Sequence, residues 1–283
     1  MDLSAYSTDR PAVSLRLLFI HHSCGGQLLA PVGGNVGDCC IYRSHPNGGG
    51  LRPHLEQNGY EVHEASYGSR IGHDTDLFDW LPKFRDTMDD VLTCSHQNDR
   101  YPDSGRNQIV VFKSCFPNSS FVGDGAPPGK PLGPELTGWN ARATMTAVLA
   151  ELAKKPGVLF VYVTAPPIAP TVPRRPAWKV LARTLLGSSK TDRANLLAGA
   201  AIARRFNDWV RSPDGWLHGY PHSNVVVFDY FDVLTDSSAS SLLRYPTGED
   251  GSDSHPSAEG NALAARALVP LMNQAVRRAG LSR

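Results

Sequence analysis

The 283-residue chain lacks the features that would place it at a membrane or on nucleic acid. No run approaches the roughly 20 consecutive apolar residues that a membrane-spanning helix needs. Its first residues, MDLSAYSTDR, are not the basic start and apolar core of a signal peptide. Net charge is nearly absent, since 28 Lys and Arg face 27 Asp and Glu. We therefore expect neither nucleic acid nor a membrane as partner, and a cytoplasmic protein, or a secreted one if a signal peptide has been removed.

Cysteine is scarce, and its pattern excludes two further classes. The five cysteines are an odd number and form no CxxC pair, so neither a disulfide framework nor a zinc knuckle is indicated. Two loop groups are alternative metal ligands: Cys39 and Cys40 with His45 or His54, and His73 with Asp74 and Asp76. Adjacent cysteines seldom act as paired ligands, and acids in loops are usually solvated or cap helices. We expect no metal and no cofactor.

Short strand-like segments, apolar in four cases and alternating at 60–65, are separated by segments of helical spacing along the chain. The predicted strands are 15–20, 60–65, 108–112, 158–164 and 224–230, and the predicted helices are 51–58, 79–92, 137–154, 194–211 and 257–279. Successive parallel strands need long crossovers, and helices covering both faces make such a sheet fully buried. The sequence therefore predicts an α/β protein, a three-layer α/β/α sandwich around a five-stranded parallel sheet. We expect one domain over residues 1–283, with irregular excursions near 31–50, 117–136 and 166–190.

Residues capable of chemistry follow several predicted strands. HHSCG, which contains Ser23, follows the first strand; SYG, which ends at Gly68, follows the second; and KSCFPN, which ends at Asn118, follows the third. A further polar segment, DGSDSHP at 250–256, precedes the last helix. Because ligands bind beyond the carboxyl ends of parallel strands, we expect these segments to line one crevice.

A serine hydroxyl becomes a good nucleophile when a histidine removes its proton, and a carboxylate then orients the histidine. Ser23, His255 and Asp253 supply these three groups. The backbone N–H groups of Ser23 and Gly68, with the side-chain amide of Asn118, are candidate donors to an oxyanion. The predicted chemistry is acyl transfer through Ser23.

The order of these residues resembles the SGNH (GDSL-like) hydrolase superfamily, in which Ser, Gly, Asn and His occupy successive blocks along the chain. By this resemblance the four residues are Ser23, Gly68, Asn118 and His255, and a flavodoxin-like fold is implied. The blocks themselves differ: HHSCG replaces GDSL, KSCFPNS replaces GxND, and Ser252 stands where the family has the acid of DxxH. The resemblance implies an esterase acting on small acyl esters, such as O-acetyl groups of a carbohydrate or metabolite, through an acyl-serine intermediate.

Several alternatives stay open from the sequence. An acyltransferase would use the same acyl-enzyme, and a non-catalytic binding module would use only the crevice to hold a ligand. Of the two histidines before Ser23, we expect one to point into the core and the other to border the site. The residue-level alternatives are Asp250 in place of Asp253, Ser114 in place of Asn118, Cys24 or Cys115 as nucleophile, and a basic run (Arg174, Arg175, Lys179, Arg183) that selects an anionic or glycan substrate.

Overall fold

A five-stranded parallel sheet forms the centre of the chain in a computed structural model, which describes residues 2–171, 192–235 and 240–282. The strands of this sheet are β1 (Leu15–Ile20), β4 (Tyr60–Ala65), β7 (Ile109–Lys113), β8 (Leu159–Val163) and β9 (Val225–Phe228). Their spatial order is β4-β1-β7-β8-β9. When these five are numbered by sequence, that order is 2-1-3-4-5, which is the flavodoxin-like arrangement. The predicted α/β fold is confirmed.

Helices cover both faces of the sheet. They are α1 (Ser23–Leu29), α2 (Leu51–Gln57), α3 (Trp80–Asp86), α4 (Met88–Thr93), α5 (Gly138–Leu152), α6 (Asp192–Arg211), α7 (Tyr230–Thr235) and α8 (Ala258–Arg278). Alternate residues of each strand enter opposite layers: Leu18 and Ile20 pack with α3, α4, α5 and α6, whereas Leu17 and Phe19 pack with α1, α2, α7 and α8. This period of two places one apolar core on each side of the sheet.

The register of the strands brings the candidate site residues that follow β1, β4 and β7 to the carboxyl edge of the sheet. Ile20, the last residue of β1, pairs with Ala65 of β4 on one side and with Phe112 of β7 on the other. The chains leaving these three strands therefore emerge at one level. The last helix approaches the same edge with its N-terminus, where the Ser257 hydroxyl accepts a hydrogen bond from the Gly260 N–H.

One predicted helix was wrong as a continuous element. Residues 79–92 form two helices, because Thr87 leaves the helical conformation with φ −129° and ψ 22°. The Thr87 hydroxyl donates to the Lys83 carbonyl at 2.8 Å, a local bond by which threonine competes with the helix. The apolar spacing continues across the break because both helices pack on the same core.

The excursion at 31–50 contains an antiparallel hairpin that the sequence did not indicate. Its strands are β2 (Val36–Asp38) and β3 (Ile41–Ser44), and Cys39 and Cys40 turn between them with φ of 50° and 64°. Two-residue turns of this handedness usually contain Asn-Gly or Asp-Gly, so the Cys-Cys pair gave no signal. A second small hairpin, β5 (Cys94–His96) with β6 (Asp99–Arg100), was also missed.

Candidate active site

Ser23 lies at the start of α1, three residues after the last residue of β1. The short connection fixes its position because both flanking elements are rigid. Gly25 makes the connection sterically possible, since a Cβ at that position would lie 2.3 Å from the Cβ of His21. The nucleophile position predicted from the sequence therefore lies at the carboxyl edge of the sheet.

Ser23, His255 and Asp253 form a continuous hydrogen-bonded chain. His255 Nε2 lies 2.9 Å from Ser23 Oγ, and His255 Nδ1 lies 2.7 Å from Asp253 Oδ1. Asp253 Oδ1 also accepts the His255 backbone N–H at 3.0 Å. Because a carboxylate accepts only, it fixes Nδ1 as the protonated nitrogen and leaves the Nε2 lone pair facing the serine hydroxyl.

The charge of Asp253 is supported by the same contacts. Partial burial raises the pKa of this carboxyl, but the hydrogen bonds from the His255 backbone and ring lower it by more. The pKa of Asp253 is therefore below its ordinary value. Asp250, the alternative acid, accepts the Ser252 backbone N–H at 3.1 Å. The carboxylate that contacts the His255 ring is that of Asp253.

The loop that carries this pair is held by Thr247. Backbone bonds of 3.1 Å run in both directions between Thr247 and Asp253, and the Thr247 hydroxyl donates to the His255 carbonyl at 3.0 Å. Asp253 has a side chain that is 47% exposed, against 24% for His255. The imidazole is thus placed between a solvated carboxylate and a half-buried serine.

Two cysteines lie directly behind Ser23. Cys115 Sγ is 3.5 Å from Ser23 Oγ and 3.2 Å from Cys24 Sγ, and the two thiols are joined by a hydrogen bond. That hydrogen bond, with the nearby Lys113 cation, lowers the pKa of Cys115 despite its burial, whereas burial raises the pKa of Cys24. The Ser23 hydroxyl has one proton and its shorter contact is to His255, so the geometry favours donation to the imidazole over donation to sulfur.

Gly68 lies in the turn that follows β4, in a left-handed conformation with φ 84° that favours glycine. The preceding residue, Tyr67, stacks on His22 with ring centroids 3.6 Å apart. His22 Nε2 in turn donates to the carbonyls of Gly72 and His73 at 2.9 and 2.8 Å. These contacts fasten the Gly68 turn to the residue that immediately precedes Ser23.

Asn118 lies in a short 3-10 helix, Phe116–Ser119, after β7 and is 6% exposed. Its carbonyl oxygen accepts the Leu77 N–H at 2.7 Å, and its amide donates to Asp76 Oδ1 at 2.8 Å. The second amide hydrogen has only a long contact, 3.4 Å, to the Cys115 carbonyl. The side chain is thus held in one orientation, with one weakly engaged N–H.

His21 and His22 divide as expected, one in the core and one beside the site. His21 is fully buried; its Nδ1 donates to the His22 carbonyl at 2.9 Å and its Nε2 lies 3.0 Å from Glu64 Oε1. Arg52 binds the other oxygen of Glu64. Burial would raise the pKa of Glu64, but hydrogen bonds and charges from His21 and Arg52 lower it overall.

The remaining candidates from the sequence are Ser114, the metal ligands and the basic run. Ser114 is fully buried and accepts the Trp80 indole N–H at 2.8 Å, so it points away from Ser23. Within the three described ranges, no group of three or more His, Cys, Asp or Glu side chains is arranged to hold a metal ion. The basic run at Arg174, Arg175, Lys179 and Arg183 lies outside the described residues.

Two contacts at the site had no sequence signal. Phe116 meets the His255 ring edge to face, with centroids 5.0 Å apart. Asp76, considered above only as a metal ligand or cap, orients the Asn118 amide. Both pairs join segments far apart in the chain, so spacing could not have indicated them.

Comparisons with known proteins find distant likeness in structure. No protein-family model matches the chain, and no curated protein matches it in sequence. Among solved structures, the chain is similar to a carbohydrate esterase family 2 enzyme with a carbohydrate-binding domain from Myceliophthora fergusii. The TM-score is 0.40 at 16% identity, over 94% of this chain and 68% of that one. A likeness of this size says nothing about mechanism, which must be inferred from the site's own residues.

Within residues 2–171, 192–235 and 240–282, no helix is both long enough and apolar enough to span a membrane.

Proposed function

We propose that this chain is a serine esterase that cleaves small acyl esters, such as O-acetyl groups of a carbohydrate or metabolite, with a site of the SGNH kind. The observation that supports this proposal is the chain of contacts from Ser23 Oγ through the His255 ring to Asp253, at 2.9 and 2.7 Å. Both distances are within hydrogen-bond range before any substrate is bound.

The first half of the reaction forms an acyl-serine. Ser23 Oγ attacks the ester carbonyl carbon while His255 Nε2 takes the hydroxyl proton, and Asp253 stabilises the resulting imidazolium. The carbonyl oxygen becomes an oxyanion, which the N–H groups of Ser23, Gly68 and the Asn118 amide stabilise. As the carbon–oxygen bond of the ester breaks, His255 returns the proton to the departing alcohol.

The second half releases the acid. His255 removes a proton from water, which attacks the acyl carbon, and the Ser23 oxygen leaves with the proton that His255 holds. Each step needs only the residues named above. Neither a metal ion nor a cofactor enters the scheme.

The test compares hydrolysis of p-nitrophenyl acetate by the parent protein and by Ser23→Ala. We expect the variant to lose about 10³-fold or more in kcat, since removing a nucleophile of this kind leaves only residual catalysis. Ser14→Ala is the matched control, because Ser14 lies before the opposite end of β1 and its hydroxyl bonds only to Gly59 and Glu61. Folding of each variant is checked by circular dichroism.

A serine-directed phosphonate separates the remaining alternatives. An esterase or acyltransferase should form one adduct per chain, located at Ser23 by mass spectrometry. A binding module should form none, and an adduct on Cys24 or Cys115 would contradict the serine nucleophile. Adding an alcohol as competing acceptor then distinguishes the two enzymes, because a transferase would pass most of the acyl group to the alcohol rather than to water.

A further inference from the structure

A large cavity lies beside the Ser23–His255–Asp253 chain and plays no part in the mechanism above. Its volume is about 820 Å³, which is within the range of sites that bind small molecules. Asp253 and Phe116 both line it, and Phe116 also packs against the His255 ring. The cavity therefore begins one aromatic ring away from the imidazole.

A direct hydrogen bond joins the cavity wall to the catalytic loop. The Ala169 N–H donates to Ser254 Oγ at 2.9 Å, and Ser254 separates Asp253 from His255 in the chain. The adjacent Ile168 forms an isolated β-bridge with Leu242, and its carbonyl accepts the Leu243 N–H at 2.9 Å. This part of the cavity wall therefore contacts the loop that carries His255 directly.

The floor of the cavity is apolar. Phe121, Ile168, Ala169 and Ile202 line it, and each has 2 to 7% of its surface exposed. The polar lining residues, such as Asn195 and Ser252, are exposed or half-buried and lie at the rim. Asp253 is the charged lining residue among the described ones, and its carboxylate is engaged with His255. A polar or anionic group would find few hydrogen-bond partners on the floor. An apolar group would gain free energy there, because its surface would be transferred out of water.

We infer that this cavity binds an apolar group of the ester, either in its alcohol or in its acyl part, and so selects esters of apolar molecules over acetylated sugars. This inference rests on the proposed function. It narrows the substrate class, because small acyl esters of a carbohydrate would leave the apolar floor unused. The apolar group would lie against Phe121 and Ile202 while the carbonyl carbon is held at Ser23.

Two pairs of substrates test the inference and distinguish the two parts of the ester. Methyl acetate and hexyl acetate differ in the alcohol, whereas p-nitrophenyl acetate and p-nitrophenyl hexanoate differ in the acyl group. We expect the longer ester of at least one pair to have a kcat/KM higher by about tenfold or more, since even one methylene in an apolar pocket can give such discrimination.

Ala198→Trp assigns that preference to the cavity. Ala198 lines the cavity but is exposed on α6, so a larger side chain can enter the space without disturbing the core. We expect this variant to lose about tenfold on the longer ester and to stay within about twofold on the short one. Leu197→Trp is the matched control, because Leu197 is exposed on a different face of the same helix and is not among the residues that line the cavity; it should leave both rates unchanged.

Binding provides a measurement that does not need turnover. Ser23→Ala should bind the longer ester of the preferred pair measurably by calorimetry, and adding Ala198→Trp should weaken that binding. The inference is overturned if both substrate pairs give flat or reversed preferences, if an acetylated sugar is preferred, or if Ala198→Trp leaves the preference and the binding intact. If the parent protein hydrolyses none of these esters but binds the longer one in a way that Ala198→Trp weakens, the esterase proposal is contradicted and the apolar binding site is supported.

Discussion

Two histidine–carboxylate pairs in this molecule have similar hydrogen bonds and opposite surroundings. His21 and Glu64 are buried in the sheet, 3.0 Å apart, whereas His255 and Asp253 lie in a solvent-accessible loop, 2.7 Å apart. The second ring nitrogen decides what each pair can do. In His21 it donates to a backbone carbonyl, which cannot take part in proton transfer, and in His255 it faces the hydroxyl of Ser23.

The carboxylates differ in the same way. Glu64 is bound by two partners, His21 and Arg52, and is shielded from water, so its charge stabilises the fold. Asp253 orients one ring and stays half exposed. A carboxylate beside a histidine is therefore not evidence of catalysis until the histidine's other nitrogen has been located.

The largest expected effect comes from removing the imidazole of the solvent-accessible pair. We expect His255→Gln to lower kcat for p-nitrophenyl acetate by about 10³-fold or more, because the hydroxyl of Ser23 loses its general base. The midpoint of thermal unfolding should change little, since the ring lies in a loop. Retention of more than a tenth of the parent rate would contradict the proposed base.

Asp253→Asn should have the next largest effect on the rate. An amide in this position can hold the wrong tautomer of the imidazole, and we expect kcat to fall by about 10²-fold or more. Asp250→Asn is the control, three residues earlier in the same loop, and should stay within about twofold of the parent. The reverse pattern would assign the orienting role to Asp250.

Glu64→Gln should act on stability and leave the chemistry intact. Breaking a buried ion pair leaves partners unsatisfied, so we expect the free energy of unfolding at pH 7 to fall by about 3 kcal/mol. Glu61→Gln, on the same strand but with an exposed ion pair to Arg16, should change it by less than about 1 kcal/mol. Chemical denaturation measures both, and kcat of the folded Glu64→Gln protein should equal that of the parent.

The buried pair of Glu64 and His21 also predicts how the stability of the protein depends on pH. Because the pKa of Glu64 is lowered in the folded chain, its stabilisation is complete above the unfolded value of about 4.3 and is lost as pH falls through the folded value. The difference in unfolding free energy between parent and Glu64→Gln should thus be constant from pH 7 to about 5 and shrink below about 4. A constant difference down to acid pH would exclude this role for Glu64.

The smallest expected effect concerns the cysteines behind the nucleophile. Cys115 contacts Ser23 only at 3.5 Å, so we expect Cys115→Ala to change kcat by less than about fivefold and stability by about 1 kcal/mol. Inactivation as complete as that of Ser23→Ala would instead indicate a cysteine nucleophile.

Local pattern was sufficient to predict the central sheet. Four of its strands are short, mainly apolar runs, and the fifth, YEVHEA at 60–65, alternates with the period of a strand, so all five were predicted within two residues of their ends. The break at Thr87 and the Cys39-Cys40 turn were missed, because apolar spacing continues across the first and the second lacks the usual turn residues. The spacing of apolar residues therefore predicts where a helix or strand lies better than it predicts where that element is interrupted.

For this chain, the sequence by itself determined the fold class, and the order of Ser23, Gly68, Asn118 and His255 singled out one edge of the sheet. Only the tertiary structure decided which carboxylate meets His255, that Ser114 faces Trp80, and that an apolar cavity adjoins Phe116. The physical reason is distance along the chain. Strands and helices depend on neighbouring residues, whereas a site joins side chains as far apart as Ser23 and His255, and their contact exists only after the sheet and the last helix have packed.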